Sequence, residues 1–350
     1  MGRSRFSALK RALAYKSLFS AHSEWSPEFM DCNPPRETQH ALTSRVRKAI
    51  GRRLWSYDRT GSHQEEILDR ARECDLVYFL KTPTADLQNR VIALNRPRVV
   101  VDVNDALWLS HHGNGFCRLT EMLTTAHGVI CENDYVAHYV RKYNPCIRIV
   151  PDCTQLDAFD SLRGSVSRNE SKVRLGWIGS NSTAGFLYRI WEPLEDLFTR
   201  HPNLELRIVG ADPEHLPPFE KVRWSSVLEY DREQMVREAL SMHIGLFPLF
   251  RVEDSLARGN GKAVIYMAAA AAAVCSNIGE HTRLIKDNVN GFLAHDSQEW
   301  IKKLEFLVMN PEERVRVSKA GLETVRAELS DRHCFERLND ALSFFLLNGR

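Results

Sequence analysis

A repeated rhythm constrains this chain more than any single motif. Short apolar, β-branched runs recur at "DLVYFL" (Asp75–Leu80), "RVVVDV" (Arg98–Val103), "HGVICE" (His127–Glu132) and "IRIVP" (Ile147–Pro151), each separated by a segment of helical length and pattern. Runs with no polar alternation are buried on both faces, and helical crossovers between them mean a parallel sheet. After a polar stretch the rhythm restarts with "VRLGWIGS" (Val173–Ser180), "LELRIVG" (Leu204–Gly210), "VRWSSV" (Val222–Val227), "HIGLFPL" (His243–Leu249), "AAVCSN" (Ala272–Asn277) and "GFLA" (Gly291–Ala294). The expected fold class is α/β, with two Rossmann-like doubly wound domains facing a cleft. Their expected extents are 1–152 and 173–331, with a linker over 153–172. A last helix, 332–350, is expected to pack back toward the first domain. In such sheets ligands sit at the carboxyl ends of the strands.

Composition removes several classes. Of the 350 residues, 43% are hydrophobic and 26% charged, and the formal net charge is +2, so no basic field calls for nucleic acid. The cysteines form no C-x-x-C pair, which fits free thiols in a reducing compartment. No run is long enough to span a membrane, no signal peptide is expected, and "MGRSRF" lacks the Ser or Thr of a myristoylation signal. The expected location is the cytoplasm, with peripheral contact at the inner face of an anionic membrane. A basic helix over Arg5–Phe19 and a cluster at Arg45, Arg47, Lys48, Arg52 and Arg53 motivate that contact. A solvated helix face accounts for the same residues.

Three strand-to-helix junctions fall on one sheet edge. "GWIGSNST" supplies Gly179, Ser180, Asn181 and Thr183, with Ser182 or Thr183 fit to cap a helix. "NIGEHT" supplies Gly279, Glu280, His281 and Thr282; Gly279 allows close backbone approach and Glu280 can accept from sugar hydroxyls. The third, "FRVEDSLARGNGK", puts Arg258 and Lys262 before a helix, where two cations join the free N–H groups of a helix start. That combination suits a phosphate or diphosphate. The alanine run Ala268–Ala273 beyond it reads as close helix-to-sheet packing.

With these segments in place, "GWIGSNST", "IGLFPL", "GKAVIYMAA", "SNIGEHTRLIKDNVNGFLA" and "NPEERVRVSKAGLETV" resemble the C-terminal domain of retaining GT-B glycosyltransferases of family 4. The resemblance covers about Val173 to Glu328, and more loosely "VVVDVNDALW" (Val99–Trp108). It implies transfer of a hexose-type sugar from a nucleotide-sugar, UDP- or GDP-linked, to a glycan, lipid-linked or other hydroxyl acceptor. It also implies retention of configuration, no metal and no permanently bound cofactor. The family's diphosphate-binding cations fall on Arg258 and Lys262, and its donor loop on Gly279 and Glu280.

The chain departs from that family at identifiable places. The two family glutamates eight positions apart are replaced by Ala257 and Ile265, and the Gly and Pro of the helix end by Ala270 and Ala272. The N-terminal domain opens on a basic helix instead of a strand and Gly-rich turn, so the first strand is missing or the domain rearranged. In this half Asp105 stands beyond "VDVN" and could serve an acceptor hydroxyl. Asn104 or Asp105 equally fits an N-cap before "ALWL". His111, with His112 beside it, is a further candidate near the reacting sugar, and Lys81 could reach the same edge. A glycosyltransferase-like protein that binds a nucleotide-sugar or a partner without catalysis is the alternative.

Overall fold

The computed structural model describes residues 64–80, 85–109, 115–169 and 171–348, and a few positions between 15 and 30. The basic helix expected at Arg5–Phe19 lies almost wholly outside the described residues. The cluster at 45–53, Lys81, His111 and His112 lie outside them too. The described chain forms two compact units. One comprises the described residues up to 149, except 104–106, together with 338–348; the other comprises 104–106 and 150–337.

The first unit is built on a parallel sheet of β1 (Leu76–Phe79), β2 (Arg98–Val103), β3 (Gly128–Cys131) and β4 (Ile147–Ile149). Its order is β1-β2-β3-β4, each strand beside its predecessor. Val99, Val100, Val101 and Val103 are all fully buried, which is why this strand reads as unbroken apolar sequence. The helices α1 (Ala85–Ile92), α2 (Gly115–Thr125) and α3 (Asp134–Val140) cover it. Gln88 on α1 is buried and donates to Met122 O at 2.8 Å and Thr125 Oγ1 at 3.0 Å, locking α1 to α2. Asn133 caps α3 by accepting from Val136 N at 2.9 Å. Phe345, from the end of the chain, is buried so closely on Gly128 that a Cβ there would strike its ring.

The second unit carries a six-stranded parallel sheet. Its strands are β5 (Val173–Ile178), β6 (Leu204–Val209), β7 (Trp224–Val227), β8 (Ile244–Phe247), β9 (Ala272–Ser276) and β10 (Phe292–Ala294), in the order β10-β9-β8-β5-β6-β7. The chain therefore builds outward from β5 in one direction, then returns to its other side: the order reverses between β5 and β8. The helices are α4 (Leu156–Arg163), α5 (Asn181–Ala184), α6 (Trp191–Arg200), α7 (Arg232–Ser241), α8 (Glu253–Ala257), α9 (Gly261–Ala268), α10 (His281–Leu284), α11 (Ser297–Met309) and α12 (Pro311–Glu328), while α13 (Asp331–Asn348) starts in this unit and from 338 onward is counted with the first. Trp177, Leu194, Leu206, Ile208, Trp300 and Leu304 are among the fully buried residues of its core.

The segment expected as a linker holds α4, whose Phe159 is buried. Two arginines in this segment cap a helix of the unit's core: Arg163 donates to Ala268 O at 2.7 Å and Arg168 to Ala269 O at 2.8 Å. Cations on the last carbonyls of α9 satisfy orphan acceptors and oppose the negative end of its dipole. The alanine run is buried except at Ala270, and it lets α9 turn straight into β9. Ala271 N donates to Tyr266 O and Ala270 N to Met267 O, both at 2.9 Å, the two bonds of a Schellman ending. Ala270 occupies its left-handed position, at φ 52°.

Candidate active site at the strand-order reversal

The three junctions singled out in the sequence follow β5, β8 and β9, so in this parallel sheet they share one edge. The reversal of order makes the carboxyl end of the β5–β8 pair the expected ligand crevice. The ladder there is short: only Leu175↔Ile244 and Gly176↔Gly245 are in register. Beyond that pair the strands part, and Tyr266 of α9 fills the gap. Its hydroxyl accepts from Ile178 N at 2.9 Å and donates to Leu246 O at 3.1 Å, so one phenol satisfies both strands. Gly245 makes this possible, because a Cβ would stand 2.1 Å from the Tyr266 ring. Full burial raises the Tyr266 pKa, so the phenol stays protonated and keeps its donor.

Lys262 is set in this crevice by the first turn of α9. Its ammonium donates to Thr183 Oγ1 at 3.2 Å. It also stands 4.4 Å from the Trp177 ring centre and 5.3 Å from that of Phe247. The cation thus sits between the end of β5 and the end of β8, held by aromatic faces. The first N–H groups of α9 add to its charge; Val264 N is the first to find its helical partner, Asn260 O. Thr183 Oγ1 also accepts from Ser180 N at 3.2 Å, which fixes the turn that leaves β5.

His281 opens α10 from the end of β9 and is buried. Its Nδ1 lies 2.9 Å from Ser276 O, which makes Nδ1 the protonated nitrogen and leaves Nε2 an acceptor. Burial lowers its pKa to about 4, against the Ser276 carbonyl and with help from the Lys262 charge. Gly279 holds φ 54°, a left-handed turn with Leu256 O only 3.2 Å from where a Cβ would lie. Asn260 donates to Glu280 O at 3.0 Å, joining the α9 and β9 junctions. Ser276 Oγ bridges Leu249 N at 2.8 Å and Leu249 O at 3.1 Å, joining the ends of β8 and β9.

The remaining residues take separate places. Arg258 ends α8, pairs with Asp254 at 2.6 Å, and lies over Phe186 at 5.1 Å. Asn181 accepts from Asp212 N at 2.8 Å and donates to the Asp212 carboxylate, tying α5 to the loop after β6. Ser180 Oγ bonds Ser182 Oγ at 3.0 Å, and Thr282 donates to Gly279 O at 2.8 Å, closing its own turn. Asp105 is half-buried two residues beyond β2. Asp102 is buried and accepts from the Tyr78 hydroxyl. Ile265 and Ala257, at the two family glutamate positions, are buried apolar residues.

Sequence reasoning missed Trp177, Phe247, Tyr266 and Asp254. The spacing of Asp254 and Arg258 was readable as a helical i,i+4 pair. The two rings read only as core, because a cation–ring contact needs the fold to bring them together. Around the crevice, Trp177 Nε1, Ser255 Oγ, Asn260 Oδ1 and His281 Nε2 are buried with no hydrogen-bond partner among the described residues. Unsatisfied buried polar atoms are rare in folded proteins, and they gather where a ligand or water completes them.

Residues 189–340 match a family described as glycosyl transferase-like. No curated protein matches the sequence. Among solved structures, HepE of Anabaena in complex with UDP-glucose is 13% identical at a TM-score of 0.61, over 80% of this chain and 82% of that one. A glycosyltransferase from Rickettsia africae is 12% identical at 0.64, over 82% and 81%. An α,α-trehalose-phosphate synthase (UDP-forming) from Burkholderia vietnamiensis is 10% identical at 0.61, over 81% and 77%. The fold these likenesses establish is the one expected from the sequence: this chain has the two Rossmann-like domains of the GT-B glycosyltransferases.

Proposed function

We propose that this protein transfers a sugar from a nucleotide-sugar to a hydroxyl acceptor, using the crevice at the β5–β8 reversal for the donor diphosphate. The observation that carries the reading is Lys262, a cation fixed between Trp177 and Phe247 and bonded to Thr183 beside the start of α9. In such a transfer the bond from the anomeric carbon to the diphosphate breaks and negative charge grows on the departing oxygen. A preorganised ammonium and helix N–H groups, already fixed in place before the reaction, stabilise that charge. Arg258 supplies a second cation whose pairing with Asp254 exchanges for the diphosphate. Asp105 or His111 takes the proton from the acceptor hydroxyl, and Gly279, Glu280, His281 and Thr282 line the donor sugar. We assign retention of configuration, a hexose and a metal-independent mechanism from the family 4 resemblance. UDP is the first nucleotide to test, because HepE has been solved with UDP-glucose. The acceptor is a glycan, a lipid-linked sugar or another hydroxyl compound, and the basic segments at 5–19 and 45–53 support a reading in which the protein works against an anionic membrane surface. Among the described residues no helix is long and apolar enough to cross a membrane.

One observation favours a second reading, a nucleotide-sugar-binding protein without catalysis. Ile265 and Ala257 are buried where the family carries glutamates, and neither can accept a ribose hydroxyl. One experiment separates the two. UDP-glucose, GDP-mannose and their nucleotides are titrated against the protein by calorimetry and thermal shift, then turnover is followed by nucleotide release. Binding that is lost in Lys262→Ala, with turnover, supports the transferase. Binding without turnover supports the second reading, and no binding overturns both.

A further inference from the structure

The second unit carries a cavity that the donor crevice does not use. It has a volume of about 250 Å³ and is lined chiefly by Tyr188, Arg189, Trp191, Glu192, Phe250 and Ser297. These residues come from the segments after β5, β8 and β10, so the cavity opens on the same sheet edge as the crevice. Two of its rings face solvent: Tyr188 is 49% exposed and Phe250 38%. Tyr188 and Trp191 stand edge to face, 6.1 Å apart, and Phe250 is braced by Phe186 at 6.1 Å. A folded protein leaves large rings at the surface of a concavity at some expense, and such patches mark binding sites.

The polar groups narrow the ligand. Arg189 is held rigid: it donates to His295 O at 3.0 Å and to Ser297 Oγ at 3.2 Å. Glu192, an exposed residue, also lines the cavity and brings a carboxylate that can accept hydrogen bonds from a ligand at its rim. Aromatic faces take the C–H side of a pyranose, and a carboxylate accepts from neighbouring hydroxyls. One carboxylate and one guanidinium cancel, which disfavours a phosphate or an acidic sugar. The cavity is smaller than the roughly 300–1,000 Å³ of ordinary ligand pockets, the size of a single ring.

We propose that the Tyr188–Trp191–Phe250 cavity is a neutral-saccharide subsite, separate from the donor crevice. Its role, holding one ring of an oligosaccharide acceptor, rests on the transferase reading. Its capacity to bind a saccharide does not.

The test is saturation-transfer NMR on the full chain without nucleotide, using methyl glucoside, N-acetylglucosamine and a glucose disaccharide. A single ring in such a pocket binds with a Kd on the order of 1 mM. Tyr188→Ala and Glu192→Gln each weaken saccharide binding at least fivefold and leave UDP binding unchanged. Glu192→Gln preserves shape, so its effect is not one of folding. Lys262→Ala does the reverse, abolishing UDP binding with saccharide binding intact. If saccharides bind while no nucleotide does, the subsite stands and the transferase reading fails. If no saccharide binds, or binding is the same in both cavity variants, or uridine displaces the saccharide, the subsite is overturned.

Discussion

The two parallel sheets are made of the same kind of strand and differ at one joint. In the first, β1 to β4 are laid side by side in chain order, and β2 stays paired with β3 to its last residue, Val103↔Cys131. In the second, the order reverses at β5, and the β5–β8 ladder stops after Gly176↔Gly245. The strands that part there leave room for Tyr266, Lys262 and the beginnings of α5 and α9. A sheet that grows in one direction stays zipped by its own ladder; a reversal opens a place for polar chemistry. Among the described residues the first sheet has no reversal, and the candidate donor groups accordingly cluster on the second.

The largest test of this contrast sets Lys262 against Asp105. Lys262→Ala is expected to lower kcat/KM about 100- to 1,000-fold and to abolish nucleotide binding, because one preorganised charge is lost from the leaving group. Asp105→Asn is expected to leave nucleotide binding unchanged while lowering kcat at least about 100-fold, the loss of a proton acceptor. Calorimetry with UDP alongside steady-state rates reads both. Should Asp105→Asn weaken nucleotide binding as much as Lys262→Ala, the division of labour between the sheets is wrong.

A shared device gives the next effect. His127 precedes β3 and accepts from Val99 N at 2.9 Å; His243 precedes β8 and accepts from Arg174 N at 3.0 Å. Each imidazole extends a ladder by one bond, and only in its neutral form. Burial lowers both pKa values, His243 to about 4 with Arg168, Arg314 and Arg174 adding to the effect. A lowered pKa means the unfolded chain binds more protons between about pH 4 and pH 6.5. The stability His243 contributes is therefore complete above about pH 6.5 and falls as pH drops toward 4, by about 2 kcal/mol at pH 5. His243→Asn, which keeps an acceptor but cannot titrate, should flatten the denaturation profile over that window. His127→Asn, with the less buried ring, should flatten it less.

Tyr266→Phe probes the parted strands directly. It keeps the ring on Gly245 but strips Ile178 N and Leu246 O of their partner, at a cost of about 1–3 kcal/mol. At roughly 2–4 °C per kcal/mol for a unit of this size, the melting temperature falls by several degrees. A loss within error would mean the strands close on each other without the phenol.

The strands were legible because burial on both faces leaves an unbroken apolar signature, as in Arg98–Val103. The strand order was not, since nothing in "VRLGWI" or "HIGLFPL" says which neighbour each takes. Among the candidate site residues, Lys262, Thr183 and Gly279 could be read from junction chemistry. Tyr266 could not: inside "GKAVIYMAA" it looks like one more core residue, and its task depends on strands distant in sequence. Arg258 was legible as a cation but not as one already paired, although Asp254 four positions earlier carried the hint.

The smallest effect concerns how each unit ends the helix that leads into a strand. Before β2 the left-handed position is Asn95, at φ 54°; before β9 it is Ala270, at φ 52°. Asparagine tolerates that conformation through local hydrogen bonding, whereas the Cβ of alanine meets the carbonyl that follows, at about 1–2 kcal/mol. Ala270→Gly relieves the strain but frees the unfolded chain, so the net gain is about 0.5–1 kcal/mol. Ala271→Gly, one residue on, is buried and outside the left-handed region, and should destabilise by a similar amount. Asn95→Gly should change stability by only a few tenths of a kcal/mol. Urea denaturation of the three variants reads opposite signs at adjacent alanines if the strain sits at Ala270. Equal losses at both would show that the Schellman bonds from Ala270 N and Ala271 N, with the arginine caps on Ala268 and Ala269, already absorb it.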